Sequence, residues 1–121
     1  VLPPEAIEDD KRRASYHFVL VIDDIAVLES PATEALDTCR VTGRVEIVYR
    51  RPLFHFGPAR RAPRKGKPLS VSVPCWRHTR HPEPPGPSRL HYGGRTPPRR
   101  IEVWGSIIDN EFAVFELEAI D

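Results

Sequence analysis

The chain reads as a small all-β barrel of five antiparallel strands with two long basic loops. Three observations predict this. Apolar and polar residues alternate with the period of two that strands require, most clearly over 38–51. Fourteen prolines, most of them between residues 52 and 98, exclude helix from the middle of the chain. The length of 121 residues suits one domain that builds its core without a metal. No apolar run approaches the ~20 residues of a membrane span.

Residues 1–14 read as an N-terminal arm, frayed or carrying one or two helical turns supported by Glu8/Arg12 and Asp9/Arg13 at i,i+4. The opening Val1-Leu2-Pro3-Pro4 has no initiator Met and no signal peptide, which fits a processed mature end or a trimmed boundary. The barrel domain is expected over 15–121. Its first strand is Tyr16–Glu29, with Tyr16, Phe18, Leu20 and Ile22 inward. Asp23-Asp24 interrupts the pattern, and Ile25 and Val27 resume it with shifted parity, which predicts a bulge. Ser30 to Asp37 reads as a turn around Pro31.

The second strand is Thr38–Arg51. Cys39, Val41, Gly43, Val45, Ile47 and Tyr49 are expected inward, and Arg40, Arg44 and Arg50 outward. Gly43 marks a tight coil. A basic loop follows over 52–67. The third strand is 68–76, with Leu69, Val71, Val73 and Cys75 inward and Ser70, Ser72 and Trp76 outward. A second loop covers 77–99. The fourth strand, Arg100–Ile108, and the fifth, Glu111–Ile120, form a hairpin over Asp109-Asn110, two residue types that tolerate left-handed angles.

A long, bent first strand that pairs on both sides, followed by hairpin-linked partners, resembles the OB fold over residues 15–120. The resemblance implies an OB-like barrel whose ligand surface is the face of the second and third strands with its loops. A helix common between the third and fourth strands of such domains is replaced here by Pro/Gly-rich loop, so a sandwich or another small barrel is the alternative.

Cys39 opens the second strand and Cys75 closes the third, both inward. Antiparallel pairing makes them neighbours, either as a disulfide or as two buried thiols. A bridge implies a periplasmic or exported setting, and free thiols a cytoplasmic one.

The net charge of +1 hides a strong asymmetry. Residues 50–100 hold thirteen Lys or Arg against the single acid Glu83, whereas residues 101–121 hold six acids and no base. Clustered cations with interleaved rings are what a single-stranded nucleic acid needs. The expected ligand-binding residues are Arg40, Arg44, Arg50, Arg61, Arg64, Lys65, Lys67 and Arg77 for phosphates, with Trp76 and Tyr92 for stacking. Phe54, His55, Phe56 and Arg60 lie among them, and Trp104 either faces out or caps the barrel. The surface forms only if both basic loops fold onto one side. The competing reading is a solvated basic loop, or one neutralised by Glu111, Glu116 and Glu118.

Other constellations carry little chemistry. Cys75, His78, His81 and His91 match no standard zinc spacing. Asp23 and Asp24 are adjacent on a strand and fit a bulge better than an acid/base pair. His17 has no nucleophile to serve, no serine sits in an elbow motif, and Gly93-Gly94 precedes no helix. The sequence therefore predicts a non-enzymatic module without metal or cofactor. Its partner is a polyanion, with single-stranded DNA or RNA leading. The alternative is an exported, disulfide-stapled accessory domain that binds another protein or an anionic glycan. A homodimer through an edge strand is compatible with either.

Overall fold

The computed structural model describes residues 4–30, 36–53, 62–80, 89–94 and 98–120. Helix α1 (Pro4–Arg13) precedes six strands: β1 (Tyr16–Glu29), β2 (Asp37–Arg50), β3 (Pro68–Arg77), β4 (Leu90–Tyr92), β5 (Arg100–Ile108) and β6 (Glu111–Ala119). They form one sheet in the order β4-β3-β2-β1-β5-β6, coiled into a nearly closed barrel. The expected all-β barrel is present, with six strands instead of five. The added strand, β4, pairs parallel to β3 through Cys75↔Leu90, Trp76↔His91 and Arg77↔Tyr92. Three residues are too few to display an alternation.

Period-two burial builds the core. Phe18, Leu20, Cys39, Val41, Val45, Val71, Val73, Cys75, Ile101, Val103 and Leu117 are buried in one cluster. In β1 the register jumps from Ile22↔Gly43 to Asp24↔Thr42, so Asp23 is the extra residue of the expected bulge. Gly43 lies where β1 crosses closest: a Cβ there would sit 2.0 Å from the Val21 carbonyl oxygen. Asp109 and Asn110 have φ of 53° and 66°, the left-handed pair of a tight hairpin turn, as expected.

The far half of β2 departs from the expected alternation. The pairs Leu20↔Val45 and Val19↔Ile47 leave Glu46 over, and Phe18↔Val48 and His17↔Arg50 leave Tyr49 over. Each extra residue shifts the side chains that follow. Ile47 and Tyr49, expected inward, are exposed, and Val48 packs on the core instead. Trp76, expected outward, is also a correction. It is buried, because the turn after β3 folds back so that its indole N–H donates to the Arg80 carbonyl at 2.9 Å.

Cys39 and Cys75 form a disulfide that ties the start of β2 to the end of β3. The N-terminal arm is a ten-residue helix. Its half-buried Ala6, Ile7, Asp10 and Lys11 share one side, and α1 packs on the outer face of β5 and β6. The barrel stops short of closure between β3 and β6. The edge of β3 that faces away from β2, over residues 68–74, and the outer edge of β6 have no strand partner among the described residues. Between them lies a cleft of about 520 Å³ that reaches Arg40, Ser70, Ser72, Glu111 and Phe112. Phe112 plugs the gap from within, edge-on to Phe18 and Tyr16 at 5.4 and 5.9 Å.

Candidate anion-binding cleft

The chain places its polar side chains in three groups. The first surrounds Asp37, which is 2% exposed beside the disulfide. Its carboxylate accepts hydrogen bonds from the Tyr92 hydroxyl at 2.7 Å, the Arg80 guanidinium at 2.8 Å and the Ser30 hydroxyl at 3.0 Å. The Tyr92 hydrogen bond holds the Asp37 carboxyl below its ordinary pKa; burial opposes this, and Ser30 and Arg80 add to the lowering. Burial, with Asp37 beside it, pushes the Tyr92 hydroxyl up. Arg80 also lies 4.6 Å over the Trp76 ring. Both rings expected to stack on a ligand are thus engaged inside the fold: Trp76 is buried and Tyr92 serves Asp37.

The second group lies on the outer face of β2, β1 and β5. Three rings stand in a cross-strand row. His17 stacks on Trp104 at 4.4 Å and an interplanar angle of 18°, and meets Tyr49 at 4.8 Å. The His17 imidazole is hydrogen-bonded to Glu102 at 2.9 Å. Trp104 is buried, with the Lys11 ammonium of α1 4.3 Å from its ring centre. Lys11 in turn donates to Glu118 at 2.7 Å, and this bond raises its pKa against the opposing effect of burial. Arg50 donates to the carbonyls of Lys11 and Ala14 at 2.9 and 3.0 Å, so this expected phosphate ligand caps the C-terminal end of α1.

The third group is the basic cleft, where β2 ends and the first long loop begins. Local backbone chemistry fixes it. Residues Arg64-Lys65-Gly66-Lys67 form a tight turn, closed by Lys67 N–H to Arg64 carbonyl at 3.0 Å, with Gly66 at φ 80° in the position that demands a left-handed residue. The turn is fastened to β2 where Glu46 bulges: Gly66 N–H donates to the Val45 carbonyl at 2.7 Å, and Val45 N–H to the Lys67 carbonyl at 3.0 Å. Buried Pro63 and half-buried Ala62 anchor the approach. Arg64, Lys65 and Lys67 are therefore exposed, and Arg64 and Lys65 share a cleft with Arg51.

Two adjoining clefts share Arg51, Pro63 and Arg64. One, about 600 Å³, is completed by Val48, Tyr49, Arg50 and Lys65. The other, about 410 Å³, is completed by Tyr16, Pro52, Leu53 and Ala62. Among the described residues neither has a carboxylate in its lining. Burial pushes the Tyr16 hydroxyl pKa up, and the Arg64 charge pulls it the other way. No acid among the described residues pairs with Arg51, Arg64, Lys65 or Lys67.

The expected ligand set is divided by the fold. Arg50, Arg64 and Lys65 meet at this cleft. Arg44 and Lys67 lie together at the start of β3, through the pair Arg44↔Pro68, and line neither cleft. Arg40 reaches the β3–β6 cleft instead, and Arg77, Trp76 and Tyr92 lie at the other end of β3. The described parts of the two basic loops thus leave opposite ends of β3 and do not pool their charge, so the surface expected from both loops together is a correction: what the described residues offer an anion is the smaller cluster of the β2 end and the Arg64–Lys67 turn. Arg80 and Arg100 are bound to Asp37 and Glu46. Phe54, His55, Phe56, Arg60, Arg61, His81 and Arg95 lie outside the described residues. Cys75 is in the disulfide, so the drawn zinc set has no thiolate. Arg51 and Tyr49 were absent from the expected set. The uninterrupted cation run Arg50-Arg51 signalled the first, but Tyr49 faces outward only because of the β2 bulges. Comparison with protein-family models, characterised proteins and solved structures gives no match to this chain.

Proposed function

We propose that the chain is a non-enzymatic binding module that holds a polyanion in the cleft between the end of β2 and the Arg64–Lys67 turn. One observation carries this reading: Arg51, Arg64 and Lys65 line one cleft, with Arg64 and Lys65 held on a hydrogen-bonded turn, and no carboxylate among the described residues opposes them. Such a cluster keeps its positive potential for a ligand. The architecture supports an OB-like barrel, since β1 pairs on both sides and β5 and β6 form the terminal hairpin.

The test is titration of labelled anionic chains, an oligothymidylate and a sulfated glycan, at 50 and 200 mM salt. Three or four phosphate contacts make oligothymidylate affinity fall roughly twenty- to fiftyfold over that range. The paired reversal Arg64→Glu with Lys65→Glu abolishes binding of either chain. Affinity that ignores salt, or survives the reversal, removes the proposal.

The Cys39–Cys75 bond favours a second reading for the setting. A structural disulfide persists in oxidising compartments. It supports an exported or periplasmic module, whose anionic partner is then met outside the cytoplasm, on a glycan or on another protein. Cell fractionation of the native protein, with the thiols alkylated before lysis, separates this from a cytoplasmic location.

A further inference from the structure

We infer that the cleft takes a ligand unit that joins a planar ring to an anionic group, the nucleotide of a single strand. The inference rests on the polyanion reading above and narrows its ligand. Cations alone serve a sulfated or carboxylated chain as well as a phosphorylated one. The cleft offers something further. Tyr49 is 57% exposed and lines it alongside Arg51, Arg64 and Lys65.

This ring is braced from behind. It meets His17, which stacks on Trp104 and is fixed by Glu102, and Trp104 lies beneath Lys11. Four elements therefore set the position of one exposed ring. A base that stacks on a ring already held in place loses less affinity to side-chain ordering. The volume of about 600 Å³ falls within the range of small-ligand sites. Base stacking on Tyr49 with the phosphate at Arg64 and Lys65 uses both the exposed ring and the cations of the turn. Anionic glycan binding uses only the second.

The experiment compares three probes on the full chain at 50 mM salt: an oligothymidylate, an abasic deoxyribose-phosphate strand of the same length, and a sulfated glycan. The expected result is at least tenfold tighter binding of oligothymidylate than of the abasic strand. Tyr49→Ala removes that difference, a loss within the roughly 5- to 150-fold range for one stacked base, and leaves the salt dependence unchanged. Tyr49→Phe retains the difference, and Arg64→Ala with Lys65→Ala weakens both strands alike. Equal affinity for the two strands, or an equal loss for both in Tyr49→Ala, overturns the inference and leaves polyanion binding standing. Preference for the glycan also overturns it. If no probe binds, this inference and the polyanion reading both fall.

Discussion

Asp37 shows how a single residue can set the pH range of the fold. Its carboxylate is the common acceptor for groups at the end of β1, on β4 and in the turn after β3. Because its folded pKa is depressed, its contribution is fully present above the unfolded value near 4 and disappears as pH falls through the lower folded value. Tyr92 is raised, so its contribution holds below about pH 10 and is lost as pH climbs through the folded value. Stability is therefore expected to have an acid shoulder and an alkaline shoulder from this one pair. Asp37→Ala removes the acceptor that Tyr92, Arg80 and Ser30 share, and costs about 2–3 kcal/mol at neutral pH. Urea unfolding at pH 3, 7 and 10.5 checks this: the gap between the variant and the parent protein should narrow from pH 7 to pH 3. Sequence could not reveal this pairing, because Asp37 and Tyr92 lie 55 residues apart and β4, which brings Tyr92 into place, is too short to recognise.

At the level of single elements, the bulges decide what the strands present. Alternation alone located four of the five expected strand starts to the residue and the fifth to within one. The Asp23 bulge was legible because two acids break an apolar run. Those at Glu46 and Tyr49 were not, since Val48 simply continues an apolar series and either parity places aliphatic groups inward. A one-residue slip moves every later side chain to the other face, and here it turns Tyr49 from a core residue into the exposed ring of the cleft. Gly105 marks another such irregularity, where β6 carries an extra residue opposite the Trp104/Gly105 step. A Cβ there would lie 2.2 Å from the Ala113 carbonyl oxygen and 2.7 Å from the Phe112 ring. Gly105→Ala is expected to destabilise by about 2–3 kcal/mol through backbone displacement, read as a lowered midpoint in thermal or urea unfolding. Helix α1 depends on contacts outside itself, since ten residues are marginal alone. Arg50→Ala removes two hydrogen bonds to its carbonyls. The expected outcome is a reduced helical circular-dichroism signal and a red shift of Trp104 emission, while unfolding of the barrel changes by about 1 kcal/mol or less.

For the molecule as a whole, the Cys39–Cys75 bond closes a loop with a sequence separation of 36 and contributes on the order of 3–4 kcal/mol in the chain-entropy account. That is a large share of the 5–15 kcal/mol typical of a domain. Cys39→Ser with Cys75→Ser, or reduction, should lower the urea midpoint accordingly without abolishing the sheet. The barrel class was readable because strand alternation is local, whereas the division of the basic residues between the two ends of β3 was not, because it depends on how the strands pair. The bond clips one half of the sheet, β2 to β3, yet no ladder joins β3 to β6 among the described residues. A ring that is not sewn shut has a weakest line. Thermal breathing is therefore directed there: amide hydrogens along residues 70–73 and on the outer side of β6 should exchange with solvent ahead of those in β1, and a chain that begins to come apart should do so by swinging its C-terminal hairpin away like a door whose hinge is β1.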